Sequence, residues 1–218
     1  MEYKITLENP NPQGRVRTAF FYGTLMAPAV LNRVCHGSAQ TSTPNLSVRP
    51  AILHNFRRHK VRNVDYPAII RSPPSTDPDA TVRGTLVTPL TSADIFRLDI
   101  FEGDQYERQL VKVRPLVEVG DESGEGNVEG EEEVEAETYV WIAGERHLEM
   151  GEEWDYGEFV REKIGRWVGT SEEYEEVDEA VRAEGDDPTG GRGLNGSITR
   201  TLEEGQKKDK EEVLKSAV

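Results

Sequence analysis

Two short segments hold the residue types that could do chemistry: Phe20-Phe21-Tyr22-Gly23-Thr24-Leu25-Met26 and Leu98-Asp99-Ile100-Phe101-Glu102-Gly103-Asp104-Gln105-Tyr106-Glu107-Arg108. The first reads as an apolar strand that turns at Gly23, a residue free to take positive φ, into a helix beginning near Pro28. Such a turn leaves backbone N–H groups at an electropositive place, where a carboxylate or a developing oxyanion can sit. An isolated Tyr-Gly-Thr-Leu is equally the mark of a tight turn beside a packed aromatic. The second segment puts Glu102 at a helix C-terminus, whose carbonyls already carry partial negative charge, with Asp99 and Asp104 close in sequence. Desolvation and like charges both raise a carboxylate pKa, as a group that takes up and returns a proton near neutral pH requires. Leu98, Ile100 and Phe101 on one side and Tyr106 on the other give that carboxylate an apolar setting, unlike a solvated acidic helix end. Together the segments describe an anion cradle facing a proton-transfer group.

The elements that must hold these groups alternate irregularly. Strands are predicted at Ala19–Tyr22, Ala51–Phe56, Tyr66–Arg71, Val82–Thr88, Tyr106–Val113 and Glu135–Ile142; in the last, Val134, Ala136, Thr138, Val140 and Ile142 keep a period of two. Helices are predicted at Pro28–Cys35, closed by Gly37, and at Ser92–Phe101, opened by Thr91 or Ser92 and closed by Gly103. A third runs from about Trp154 to Trp167. Many short strands with few, scattered helices predict an α+β fold, a small mixed β-barrel flanked by helices, rather than a doubly wound parallel sheet.

Length and charge bound the rest. A chain of 218 residues with 35% hydrophobic content can build one good core with appendages. Residues 1–17 read as a loose lead-in, 18–182 as the folded domain and 183–218 as a flexible charged tail; the acidic stretch at 118–133 reads as a solvated loop joining two strands. The formal net charge of −15 disfavours nucleic acid and anionic lipid as partners. No apolar run is long enough to span a bilayer, and the single cysteine, Cys35, allows no disulfide within the chain, so a reducing, cytoplasmic setting is expected.

Read in order, the motifs resemble the gamma-glutamylcyclotransferase-like family, in particular its plant and fungal, avirulence-induced-gene-like branch. The resemblance runs through Phe21-Tyr22-Gly23-Thr24-Leu25, Tyr66-Pro67-Ala68-Ile69, Arg83-Gly84-Thr85-Leu86, the Leu98–Gly103 segment with Tyr106-Glu107-Arg108, Ala136-Glu137-Thr138-Tyr139-Val140-Trp141 and Glu153-Trp154-Asp155. It implies a small β-barrel with a pocket between the Tyr-Gly-Thr-Leu loop and the glutamate. It also implies Glu102 as general acid/base, Tyr22, Gly23, Thr24 and Leu25 as the substrate-holding loop, Tyr106 in a supporting role, and no cofactor. The implied reaction closes a γ-glutamyl group of a small-molecule substrate to 5-oxoproline and frees the attached amine or amino acid. Where established enzymes of the family carry Ser-Asn after Tyr-Gly, this chain has Thr24-Leu25. The alternative is a non-catalytic small-molecule-binding or regulatory protein that keeps the pocket.

Other residues invite simpler readings. Cys35 and His36 are adjacent on a helix and project about 100° apart, so they cannot act as a nucleophile–base pair, and Cys35 is expected in the core. His54, His59 and His147 lack the spacing of a metal site and read as scattered surface histidines, so no metal is expected. Gly190-Gly191-Arg192-Gly193 reads as linker, and Trp154 and Trp167 read as core residues of the third helix. Arg57, Arg58, His59, Lys60 and Arg62 form the basic cluster of the chain; Arg62 or Arg108 could lend charge to an anionic ligand.

Overall fold

β1 (Arg17–Phe21) begins the fold, and its consecutive phenylalanines show how the sheet is built. Phe20 points into one apolar cluster and Phe21 into another, as the two-residue period of a strand requires. The structure, a computed structural model, describes residues 16–37, 46–121, 123–168, 177 and 179. The glycine-rich linker and most of the lead-in and tail expected from the sequence lie outside the described residues.

After a single 3-10 turn (Thr24–Met26) comes α1 (Pro28–His36). β2 (Ser47–His54), β3 (Phe56–Val61), β4 (Pro67–Arg71) and β5 (Thr81–Leu90) follow. α2 (Ser92–Glu102) and a second 3-10 turn (Gly103–Gln105) lead into β6 (Tyr106–Glu118). Then come β7 (Val128–Glu129), β8 (Val134–Trp141) and β9 (Leu148–Glu149). The last helical stretch is α3 (Tyr156–Glu158), a π-helical turn (Phe159–Lys163) and α4 (Ile164–Val168).

Five strands close into a barrel in the order β2-β5-β1-β8-β6, because β6 pairs back onto β2 at Ala51↔Pro115 and Leu53↔Val113. The β1–β8 pairing is parallel, at Ala19↔Glu137, and the other barrel pairings are antiparallel, which is the mixed, helix-flanked barrel expected. Phe20, Leu53, Val82, Leu86, Val113, Ala136 and Val140 fill its interior. The other faces of β1 and β8, carrying Phe21, Tyr139 and Trp141, meet the helices in a second cluster with Leu25, Val30, Val34, Cys35 and Leu98. Gly84 is dictated by this closure, since a Cβ there would lie 2.3 Å from the Phe21 carbonyl oxygen.

A second sheet, β4-β3-β9, stands beside the barrel. Asn55, at φ 66°, bends the chain between β2 and β3, so the single strand expected over Ala51–Phe56 is two. Arg57, Arg58, His59 and Lys60 of the basic cluster lie in β3, and Arg62 follows it. His59 is buried, not a surface histidine. The acidic stretch is likewise more than a loop joining two strands: β7 within it pairs with β6, and the turn before it is closed by the Asp121 N–H donating to the Glu125 carbonyl (3.0 Å) and the Gly120 N–H donating to Asn127 Oδ1 (2.9 Å). Backbone pairing and a side-chain cap do there what apolar burial cannot. Ile142 follows the end of β8 and is exposed.

The helices that frame the site have defined ends. α1 opens with Pro28 and ends at Gly37, whose φ of 73° lets its N–H reach the Arg33 carbonyl. α2 is set by a capping box, in which Thr91 Oγ1 accepts from the Asp94 N–H (3.1 Å) and Asp94 Oδ2 accepts from the Thr91 N–H (2.8 Å). Trp154 precedes the last helical stretch rather than sitting on it. Its Nε1–H donates to the Asp65 carbonyl (2.7 Å), and Asp155 caps the helix.

Candidate functional site

The Tyr22–Met26 loop is held from three sides. The Tyr22 carbonyl accepts from Arg58 Nη1 (3.0 Å), while the Tyr22 hydroxyl donates to the Tyr139 carbonyl (2.7 Å), tying the loop to β3 and β8. Within the 3-10 turn, the N–H groups of Met26 and Ala27 donate to the carbonyls of Gly23 (3.0 Å) and Thr24 (3.1 Å). The preceding N–H groups, of Gly23, Thr24 and Leu25, have no carbonyl partner within the turn, as at any helix start. Gly23 does not take the positive φ that the sequence suggested; its φ is −126°. Space demands the glycine instead, because a Cβ there would come within 2.7 Å of Pro67 Cγ.

Glu102 is the last residue of α2 and faces this loop across a pocket of about 620 Å³, mouth included. Tyr22, Gly23, Thr24, Leu25 and Tyr106 all line it, so the structure brings every sequence-predicted site residue to one cavity. Glu102 keeps a face to the pocket yet is crowded by protein, and burial, followed by the Asp99 carboxylate, pushes its pKa up to about 8. Asp104 is exposed and takes no part in this. Burial first, followed by the Glu102 charge for Tyr22 and by the Asp99 and then the Glu102 charge for Tyr139, holds both phenols well above their usual range. Tyr106 is shifted the same way, by burial and then by Tyr22 and Glu102. The phenol protons are directed elsewhere: Tyr106 donates to the Pro67 carbonyl (2.9 Å) and Tyr139 to Asp99 Oδ1 (2.8 Å). Tyr106 is both a packed aromatic, edge-on to Trp141 at 5.1 Å, and a wall of the pocket.

The family described as gamma-glutamyl cyclotransferase, AIG2-like, matches residues 19–157, which spans the barrel, the loop and Glu102. The chain belongs to this family. Among relatives, Protein AIG2 C of Arabidopsis thaliana is 29% identical over 153 residues, covering 70% of this chain and 76% of its own length. AIG2-like protein C of the same plant is 31% identical over 147 residues, 64% of this chain and 67% of its own. A solution structure of an Arabidopsis thaliana protein aligns with 83% of this chain and 94% of its own, at a TM-score of 0.47 and 24% identity.

Beneath the glutamate of this AIG2-like chain lies a charge network that local spacing does not reveal. Arg108 donates from Nε to Asp99 Oδ1 (2.8 Å) and from Nη1 to Glu137 Oε1 (2.5 Å), and Arg17 pairs with the same Glu137 oxygen. Arg108 is therefore committed to two carboxylates and does not line the pocket. Arg62 is exposed just after β3 and does not line it either. Burial raises the Asp99 pKa, against the hydrogen bond from Tyr139 and the charge of Arg108. Tyr66, Pro67, Phe101, Tyr139 and Trp167, together with Phe20 and Phe21 of β1, also line the pocket. Sequence reasoning quoted Tyr66-Pro67 and Tyr139 as motif residues without giving them a place in the site, and assigned Trp167 to the core. Among the described residues no group of three or more His, Cys, Asp or Glu is assembled that could hold a metal ion, and no helix is long and apolar enough to cross a membrane.

Proposed function

We propose that this chain is a γ-glutamyl cyclotransferase, in which Glu102 moves a proton within a γ-glutamyl amide and the Gly23–Leu25 N–H groups hold its α-carboxylate or its oxyanion. The observation that carries this reading is a carboxylate lifted to about pKa 8 that shares a pocket with the Tyr22–Leu25 loop. The α-amino group of a γ-glutamyl amide, beside its own carboxylate, is somewhat more basic than the ~8 of a peptide N-terminus, so a carboxyl lifted to about 8 is far better matched to it than an ordinary one. An arriving α-ammonium also favours the ionised carboxylate, being of opposite charge.

The sequence of bonds is then simple. Glu102 takes a proton from the α-ammonium, and the freed amine nitrogen attacks the side-chain carbonyl carbon of the same glutamyl group. The new C–N bond closes a five-membered ring and gives a tetrahedral oxyanion. Its collapse breaks the bond to the departing nitrogen, which receives the proton from Glu102, and the freed carboxylate takes the second proton from the ring nitrogen, leaving the lactam N–H and later passing that proton to the released amine or to water. Nucleophile and electrophile are in one molecule, so the protein's main tasks are folding the substrate and relaying these two protons. Loss of an oxyanion donor costs about 10²–10³ in rate.

The test is release of 5-oxoproline from γ-glutamyl amides by the wild-type and Glu102→Gln proteins. Turnover in the first, falling at least about a thousandfold in the second with the circular dichroism spectrum unchanged, is expected. Equal turnover in the two would remove Glu102 from the reaction.

A further inference from the structure

The pocket lining is chemically mixed. Glu102 and the Gly23–Leu25 backbone share it with an aromatic wall of Tyr66, Phe101 and Trp167. In that wall the Trp167 ring sits edge-on to Tyr66 (6.2 Å, 81°) and to Phe101 (6.2 Å, 71°), with Phe159 behind it at 5.9 Å. Contacts of this kind fix a ring in place and leave its remaining surface as a rigid apolar face. Glu102 is the sole charged residue among the described residues lining the cavity. Two buried or half-buried arginines near it are occupied: Arg58 with the Tyr22 carbonyl and Glu153, Arg108 with Asp99 and Glu137.

Trp167 reaches the pocket by an unusual route. It lies outside the residues matched by the family, 19–157, and follows the π-helical turn Phe159–Lys163. A π turn adds a residue to one helical repeat and so turns the face of everything after it. That turn precedes the segment that presents Trp167 to the wall.

We propose that Trp167, with Tyr66 and Phe101, forms the subsite for the departing amine and selects an aromatic or bulky apolar amine that carries no carboxylate. This rests on the cyclotransferase reading above, in which the glutamyl group lies against Glu102. A departing amino acid would bring its own carboxylate into a cavity that already holds Glu102 and that no cation among the described residues lines. Unpaired burial of such a charge is costly. A phenyl ring, by contrast, gains from leaving water for the aromatic wall.

The test compares γ-glutamyl benzylamide, γ-glutamyl methylamide and γ-glutamyl-phenylalanine on the full chain, on Trp167→Ala and on Trp167→Phe. Ratios of kcat/KM within one preparation cancel any loss of folded protein. The wild type is expected to prefer the benzylamide over the methylamide, and over γ-glutamyl-phenylalanine, by roughly tenfold or more. The first preference should collapse in Trp167→Ala and persist in Trp167→Phe. Equal rates for benzylamide and methylamide, equal rates for benzylamide and γ-glutamyl-phenylalanine, or a preference unmoved in Trp167→Ala, would each overturn the subsite while leaving the reaction intact. If none of the three is turned over, the reaction itself fails, and calorimetric binding to the Glu102→Gln protein decides the subsite. Tighter binding of the benzylamide than of the methylamide sustains it, and equal or absent binding overturns it.

Discussion

Glu102 owes its lifted pKa first to burial and then to Asp99, so the second cause can be removed without touching the first. In Asp99→Asn the side chain can still accept from Arg108 and Tyr139, yet the like charge is gone and the Arg108 cation stays. The ascending limb of the kcat/KM profile, expected near pH 8 in the wild type, should move down by roughly one unit. A limb that stays in place would mean that another group titrates. Stability follows from the same proton. The carboxyl releases it near 4.5 when unfolded and near 8 when folded, so the folded state binds more protons between those values and stability falls as pH rises through them. Glu102→Gln should therefore stabilise the protein relative to wild type more at pH 9 than at pH 4, seen as a larger gain in melting temperature, by a free energy of at most about 5 kcal/mol. Asp99 and Arg108 stand in the Leu98–Arg108 segment, where nearness to Glu102 makes them visible in the sequence. Glu137 and Arg17 reach them only through the pairing of β6 with β8 and of β8 with β1, which no local spacing encodes.

At the scale of elements, the two glycines beside the site restrict the chain for different reasons. Gly103 ends α2 at φ 67°, ψ −162°, a region that side chains rarely enter. Gly103→Ala should cost about 1–3 kcal/mol in urea unfolding and, by displacing Glu102, lower kcat roughly tenfold or more. Gly23→Ala meets Pro67 Cγ at 2.7 Å, so kcat/KM should fall by more than stability does. Wild-type kinetics in both variants would show that neither loop end needs its position. The helix stop at Gly103 is legible in the sequence, since a glycine closes a run of helical periodicity. The reason for Gly23 is not, because its constraint comes from Pro67, 44 residues later. β3 hides for a similar reason: Arg57, Arg58 and Lys60 obscure a strand whose buried positions are Phe56, His59 and Val61. The π turn hides in a helix whose apolar spacing near Trp167 reads as ordinary core.

At the scale of the whole molecule, the pocket-lining residues among those described fall between Phe20 and Trp167. A protein ending at residue 182 should therefore keep the kcat and KM of the full chain, and loss of activity on that deletion would bring the last 36 residues into the site. The mixed barrel was legible from strand count and the scarcity of helices. The parallel join of β1 to β8 was not, because it links positions more than a hundred residues apart. That join also ties the site to the order of synthesis. β1 emerges from the ribosome early with Tyr22, but the strand that covers its flank, and the Tyr139 carbonyl that receives the Tyr22 hydroxyl, come much later. Until Trp141 has been released, the nascent chain holds four of the five barrel strands, with the edges of β1 and β6 that β8 will pair left open. A product broken off before that point would carry a sticky seam, and chaperones and proteases would meet it as such.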